Sequence, residues 1–117
     1  MKALSIKPAP ALAIITGEKP QEFRTWQTHY RGDLLICATA KKTRGAIAGH
    51  ALGVVTLTTI EHLPAGNYAW HLENIRLIQP FPVKGKLSLY EVADEQISWP
   101  QGTPQQIWQT YYEPLID

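Results

Sequence analysis

ALGVVTLTTIEH, residues 51–62, and YAWHLENIRLI, residues 68–78, are two long stretches separated only by LPAGN, residues 63–67. The first is rich in Val, Thr and Ile, whose branched side chains suit a pleated, half-buried surface. Gly53 within it is a candidate β-bulge. LPAGN carries Pro, Gly and Asn, the residues that favour turns. Two strands joined by so few residues pair antiparallel, because a parallel pair needs a crossover of a dozen residues or more.

Working outward, LLICATA (34–40) is apolar at both alternating sets of positions and reads as a central strand. KKTRGAIAGH (41–50) reads as a loop or a short turn of helix. KALSIK (2–7) alternates apolar and polar and reads as a short strand. Pro8 and Pro10 then suit the start of a helix, where a missing N–H costs nothing. Ala11, Leu12, Ile14 and Ile15 form its apolar stripe, and Gly17 is placed to cap its end. PQEFRTW (20–26) reads as extended, with QTHYRGD (27–33) as a loop. Downstream, Pro80 and Pro82 break the strand pattern, and a further strand is expected near 86–92. In the tail, Thr103-Pro104 signals a helix start, with Ile107, Trp108 and Tyr111 as its packing face.

The expectation is an α+β fold. Five or six strands would curl into a small mixed or antiparallel β-barrel with two or three short flanking helices, forming one domain over 1–117.

The 117 residues include 44% hydrophobic ones and four Trp, enough for a real core. Cys37 is the only cysteine, so no internal disulfide is possible and a reducing compartment is expected. The opening MKALSIKPAPALAIITG is cut early by prolines and followed by Glu18 and Lys19, unlike a secretory signal. No run approaches the ~18 apolar residues of a membrane helix. A cytoplasmic protein with no membrane partner is the expectation, its oligomeric state open with a monomer favoured.

The net charge of +1 is unevenly spread. Residues 1–44 hold eight Lys/Arg against three acids; residues 45–117 hold three against seven. Such asymmetry points to a polyanionic partner on one side, with a solvated basic face as the plainer reading.

Local chemistry converges on residues 19–26. In an extended segment Glu22, Arg24 and Trp26 share a side, and Lys19 sits at the turn before them. Two cations would surround one carboxylate beside an indole. A free cation could meet a phosphate or a base edge, and Trp26 could stack on a base. The plainer alternative is an exposed ion pair with Trp26 in the core. Lys7 ends the first strand facing the same region. Tyr30, Arg31 and Gly32 form a turn where Arg31 could hold phosphate. Lys41, Lys42 and Arg44 form a basic loop, and Lys84 sits in a glycine turn that could close over the cleft. His71 and Glu73 alternate onto one side of their strand, although a lone strand histidine is more often structural. His29, His50, His62 and His71 lack metal-ligand spacing, and no phosphate-loop or dinucleotide fingerprint is present. No metal or cofactor is expected.

Four stretches resemble the ASCH family, named for activating signal cointegrator homology. GEKPQEFR (17–24) satisfies the Gly-x-Lys-x-x-Glu-x-Arg pattern with Gly17, Lys19, Glu22 and Arg24. YRGDLLICATAKK (30–42), FPVKGKLSLYEV (81–92) and LSIKPAPALAIITG (4–17) are similar to further family segments in the family's order. One departure is visible: many relatives carry Gln-Pro-Trp after the first strand, where this chain has Lys7-Pro8-Ala9-Pro10. An aromatic wall of the site is then missing or moved.

The resemblance implies a PUA-like pseudo-barrel with a cleft between barrel and first helix, and RNA or a nucleotide or nucleoside as ligand. The ligand-binding set it supports is Lys7, Lys19, Glu22, Arg24, Trp26, Tyr30, Arg31, Lys41 and Lys84. Some relatives are hydrolases, so the alternative is a small ribonuclease or nucleoside amidohydrolase using the same cleft, with Lys19, Glu22, Tyr30 and Glu73 as its candidates. Against amide hydrolysis, the family's Lys–Thr–Glu set has its Thr where this chain has Glu22, and Thr25 is out of register. A lysine base also needs a depressed pKa, whereas Glu22 would keep Lys19 charged.

Overall fold

The computed structural model describes residues 1–117. In chain order it contains β1 (Lys2–Ile6), α1 (Pro8–Ile15), β2 (Gln21–Arg24), β3 (Gly32–Ala38), β4 (His50–His62), β5 (Tyr68–Pro82), β6 (Tyr90–Glu91) and α2 (Pro104–Ile107), which continues as a wider π-helical turn over Trp108–Tyr112 and a 3₁₀ turn over Glu113–Leu115. The strands form one sheet in the order β2-β5-β4-β3-β1-β6. Every pairing is antiparallel except β1 with β3, which is parallel. The expected α+β class holds, and the barrel is a strongly curled sheet whose ends do not join by ladder hydrogen bonds.

Local choices agree with the sequence. α1 starts on Pro8 and ends where Gly17 turns to φ +83°, its N–H donating to the Ile14 carbonyl. Thr103 caps α2: its hydroxyl accepts from Gln106 N–H, and the Gln106 side chain accepts from Thr103 N–H. β3 is central, flanked by β4 and β1, and Leu34 through Ala38 are buried on both faces.

The sheet separates two apolar clusters. On the inner side of the curl, Leu4, Ile6, Leu34, Ile36, Val55, Leu57 and Trp70 pack against Ile14 of α1 and against Ile107 and Tyr112 of the C-terminal segment. On the other face, Ala3, Leu35, Cys37, Val54 and Ile78 meet Tyr90 and Val92. Full burial of each large aliphatic side chain contributes about 1.5–3 kcal/mol.

Three expectations need correction. β5 does not stop before Pro80 but runs to Pro82. Ala51 faces Phe81 while Gly53 faces Leu77, so two steps on β4 span four on β5. Pro80 falls in that bulge, where no ladder N–H is required. The strand expected over 86–92 shrinks to Tyr90–Glu91, because Ser88 sits at φ +58° and turns the chain. The packing face of the tail includes Tyr112, fully buried, whereas Trp108 and Tyr111 are only partly covered. The Tyr112 hydroxyl fills the bulge, donating to the Leu52 and Ile78 carbonyls at 2.6 and 3.0 Å and accepting from Ile78 N–H at 3.1 Å.

Candidate functional site

The chain leaves α1 at Gly17, and Lys19 N–H closes back on the Ala13 carbonyl. The Pro20 carbonyl accepts from Leu72 N–H, which docks the segment on β5 before β2 begins. β2 then pairs with β5, placing Glu22 opposite Trp70 and Arg24 opposite Tyr68. Strand alternation turns Phe23 outward and Glu22 inward.

Glu22 is the only buried charged residue of the chain. Its Oε1 accepts from Lys19 Nζ at 2.9 Å, and its Oε2 lies 3.7 Å from Arg24 Nε. The Lys19 and Arg24 side chains keep 32% and 24% of their surface exposed, although Arg24 Nε itself is buried. Arg24 Cζ lies 5.9 Å from the Trp26 ring, within reach of a cation–π contact. Trp26 in turn meets Trp70 edge-on with centroids 4.9 Å apart, and Trp70 Nε1–H donates to the Trp26 carbonyl. The expected grouping of Lys19, Glu22, Arg24 and Trp26 is therefore present.

Arg24 has a second task that the sequence does not show. Its Nη2 donates to the Ser5 carbonyl at 2.7 Å. β6 pairs with β1 only at Lys2 and Ala3, and the Ile6 carbonyl points to the β3 side, accepting from Thr39 N–H. By alternation the Ser5 carbonyl faces the uncovered edge of β1. Arg24 caps it, tying β2 at one end of the sheet order to β1 near the other. The guanidinium closes the curl where no strand does.

The other expected site residues do not join this cluster. Tyr30 and Arg31 lie at the start of β3, whereas Lys7, Lys41 and Lys84 follow the ends of β1, β3 and β5. Because β1 and β3 are parallel and β4 runs against both β3 and β5, those three ends lie together, away from Tyr30. The Tyr30 hydroxyl donates to the Asp33 carbonyl, and burial together with the Asp33 charge pushes its phenol up. Arg31 folds onto the Thr28 and Tyr30 carbonyls, each 2.8 Å from its guanidinium. The nine ligand-binding candidates thus do not share one hollow: the 27–33 loop, with Tyr30 and Arg31, opens at the far end of β3 from Lys7, Lys41 and Lys84.

His71 and Glu73 share a side of β5 by alternation, yet the His71 ring turns to other groups. The ring faces the Gln21 amide at 3.1 Å and Glu61 at 3.4 Å. Glu73 is exposed and lines, with Lys19, Gly17 and Asn74, a small cavity of about 130 Å³ beside the end of α1. A larger groove of about 860 Å³ lies elsewhere, between Ser5, Thr39, Gly49 and residues 82–87. Sequence reading missed Ser5 and Lys86; the only available signals were the strand alternation of KALSIK and the repeated lysine of KGK.

The sequence model of the ASCH domain family matches residues 4–109. Among solved structures, this chain is similar to the crystal structure of ASCH from Zymomonas mobilis, with TM-score 0.65, 17% identity, and 84% of this chain and 96% of that chain covered. A tyrosine-to-phenylalanine variant of the Zymomonas mobilis protein gives TM-score 0.62 at 18% identity over 81% of this chain and 91% of the other. A serine-to-alanine variant gives 0.62 at 17% over 81% and 89%. At such identities the structural likeness speaks for the fold. No curated protein matches the chain. No helix is long and apolar enough to cross a membrane.

Proposed function

This chain belongs to the ASCH domain family, and from that premise we propose that it is a binding module for RNA or a nucleotide, using the cleft built on Glu22. One observation carries the reading: a nearly buried carboxylate flanked by two cations, Lys19 at 2.9 Å and Arg24 at 3.7 Å, both partly exposed. A buried acid with one cation would be a closed structural pair. With two, the cluster keeps a net positive charge that the fold leaves facing outward. Glu22 accepts one of the three N–H donors of Lys19, leaving two for a ligand. Phosphate oxygens, or the acceptor edge of a base, fit that donor set. Trp26 and Arg24 supply a flat neighbouring surface for a base.

The module works as one cytoplasmic domain, in keeping with the single buried thiol of Cys37. The hydrolytic alternative has its own support, since Lys19 and Glu73 line the same 130 Å³ cavity. The Lys19–Glu22 contact weighs against it, because Lys19 Nζ is already engaged as a donor to Glu22 Oε1 at 2.9 Å rather than free to face a substrate.

The test is an NMR titration with a single-stranded RNA of roughly eight nucleotides, a length within known single-strand site sizes, and separately with nucleosides including N4-acetylcytidine. Shifts centred on Lys19, Glu22 and Trp26 that vanish in Lys19→Ala support the reading. Lys19→Ala is preferred to Arg24→Ala, which also unties β1. Turnover of RNA or acylated nucleoside that is lost in Lys19→Ala would transfer the site to the hydrolytic reading. Absence of any binding would remove the proposal.

A further inference from the structure

Eleven Lys and Arg side chains are present. Lys2, Lys19, Arg24, Lys42 and Arg76 are ion-paired within the chain. Lys7, Arg31, Lys41, Arg44, Lys84 and Lys86 have no carboxylate within ion-pairing distance, and Arg31 is turned onto carbonyls of its own loop. The remaining five are not scattered. Lys7 follows β1, Lys41 and Arg44 lie in the connection after β3, and Lys84 and Lys86 follow β5. The sheet brings those three strand ends to one end of the molecule, beside the start of β4.

The 860 Å³ groove lies between these same ends, and its walls contain no Asp or Glu. That volume is within the ~300–1,000 Å³ typical of ligand sites. The walls are braced: Val83 N–H donates to the Gly49 carbonyl at 3.0 Å, and Gly49 N–H donates to the Thr39 carbonyl at 2.9 Å. Gly85 is packed so closely that a Cβ there would lie 2.6 Å from Ser5 Oγ. Of the nearby acids, Asp117 is taken by Lys42 at 3.8 Å and Glu91 by Lys2 at 2.9 Å. Two unpaired lysines, Lys84 and Lys86, therefore line a formed hollow that holds no negative charge of its own, with Lys7, Lys41 and Arg44 following strand ends at the same end of the sheet.

Ser5 belongs to both features, lining the groove while its carbonyl accepts from Arg24 of the cleft. Resting on the reading that the cleft takes a nucleotide, we infer that the groove carries the phosphodiester backbone of the adjoining nucleotides of one RNA strand. The cleft holds a terminal or flipped-out unit, and the strand continues past Ser5 into the lysine-rimmed groove. Charge complementarity decides for a phosphodiester strand: the lysines are point donors, and backbone tracking by such side chains is sequence-independent.

The experiment compares the full chain with its Lys84→Ala/Lys86→Ala variant in binding an oligonucleotide of roughly eight RNA units across a salt series. Two lost phosphate contacts on a single strand reduce the slope of log affinity against log salt by about 1.4, a loss of roughly ten- to thirtyfold near 0.1 M salt. Both lysines are exposed and unpaired, so circular dichroism and the melting temperature stay at the unmodified values. An unchanged slope, with binding still abolished by Lys19→Ala, overturns the groove while leaving the cleft reading intact. Failure of the unmodified chain to bind any RNA overturns both. An acidic peptide that binds as tightly as RNA, with the same dependence on Lys84 and Lys86, would assign the groove to a protein partner and overturn the inference.

Discussion

Replacing Tyr112 by Phe deletes one atom from a place that solvent does not reach, since Tyr112 is 0% exposed. That oxygen donates to the Leu52 and Ile78 carbonyls and accepts from Ile78 N–H. Without it, Ile78 N–H is left in the β4–β5 bulge with no acceptor, and the two carbonyls lose their shared donor. An unsatisfied buried donor costs about 1–3 kcal/mol, and each net hydrogen bond lost costs about 0.5–1.5 kcal/mol more. The expected loss is about 2–4 kcal/mol, a large part of the ~5–15 kcal/mol that holds a domain folded. Urea unfolding followed by tryptophan fluorescence reads it as a midpoint lowered by roughly 1–2 M with an unchanged slope. Tyr111→Phe, at a partly exposed position, is the control and changes little. The same hydroxyl adds a pH signature. Burial pushes its phenol up to about 12 from 10.0. The folded pKa is above the unfolded one, so this stabilisation is complete below pH ~10 and is lost as pH rises toward ~12. The Phe variant loses less across that window. A stability change below about 0.5 kcal/mol would refute the reasoning, showing that the bulge satisfies its own polar groups or admits water.

Three further outcomes are expected. Glu22→Gln removes the charge that holds Lys19 and Arg24. Breaking a buried pair costs about 3–5 kcal/mol, and the partial exposure of both cations reduces this to about 1–2 kcal/mol, read by thermal melting; a neutral effect would show that the cations repel less than the geometry implies. Gly53→Ala sets a Cβ 2.7 Å from Ile15 Cδ1 and 3.1 Å from the Arg76 carbonyl, so overpacking lowers stability by about 1–3 kcal/mol, whereas a stabilised variant would show that α1 moves freely over β4. The Cys37 thiol is buried and pushed up to about 11, so a thiol reagent at pH 8 labels the native chain only at the rate of its opening; rapid labelling would show that the second apolar cluster is loose.

Much of the fold was legible because its signals are local. The two long strands, the turn between them, the double-faced apolar run of 34–40, the prolines that open α1 and the Thr103 cap all depend on neighbours a few residues apart. The errors came where a distant contact overruled a local rule. Pro80 reads as a strand breaker, yet β5 absorbs it in a bulge whose polar groups are served by Tyr112 from the far end of the chain. The site shows the same division. Spacing alone puts Glu22, Arg24 and Trp26 on one side of a strand with Lys19 before it. The bond from Arg24 to Ser5 appears only when the sheet curls β2 toward β1.

By itself, the sequence determined which segments are extended, which carboxylate has cations at hand, and how unequally charge is spread along the chain. The tertiary structure alone decided which cations remain unpaired and where they meet. Lys7, Lys41 and Lys84 are far apart in sequence and are brought to one end only because β1 runs parallel to β3 and β4 runs against both β3 and β5. Tyr30, close to Lys41 in sequence, is carried to the opposite end. Local periodicity encodes which way a side chain faces its own strand; only the order and direction of strands encode which ends share a surface.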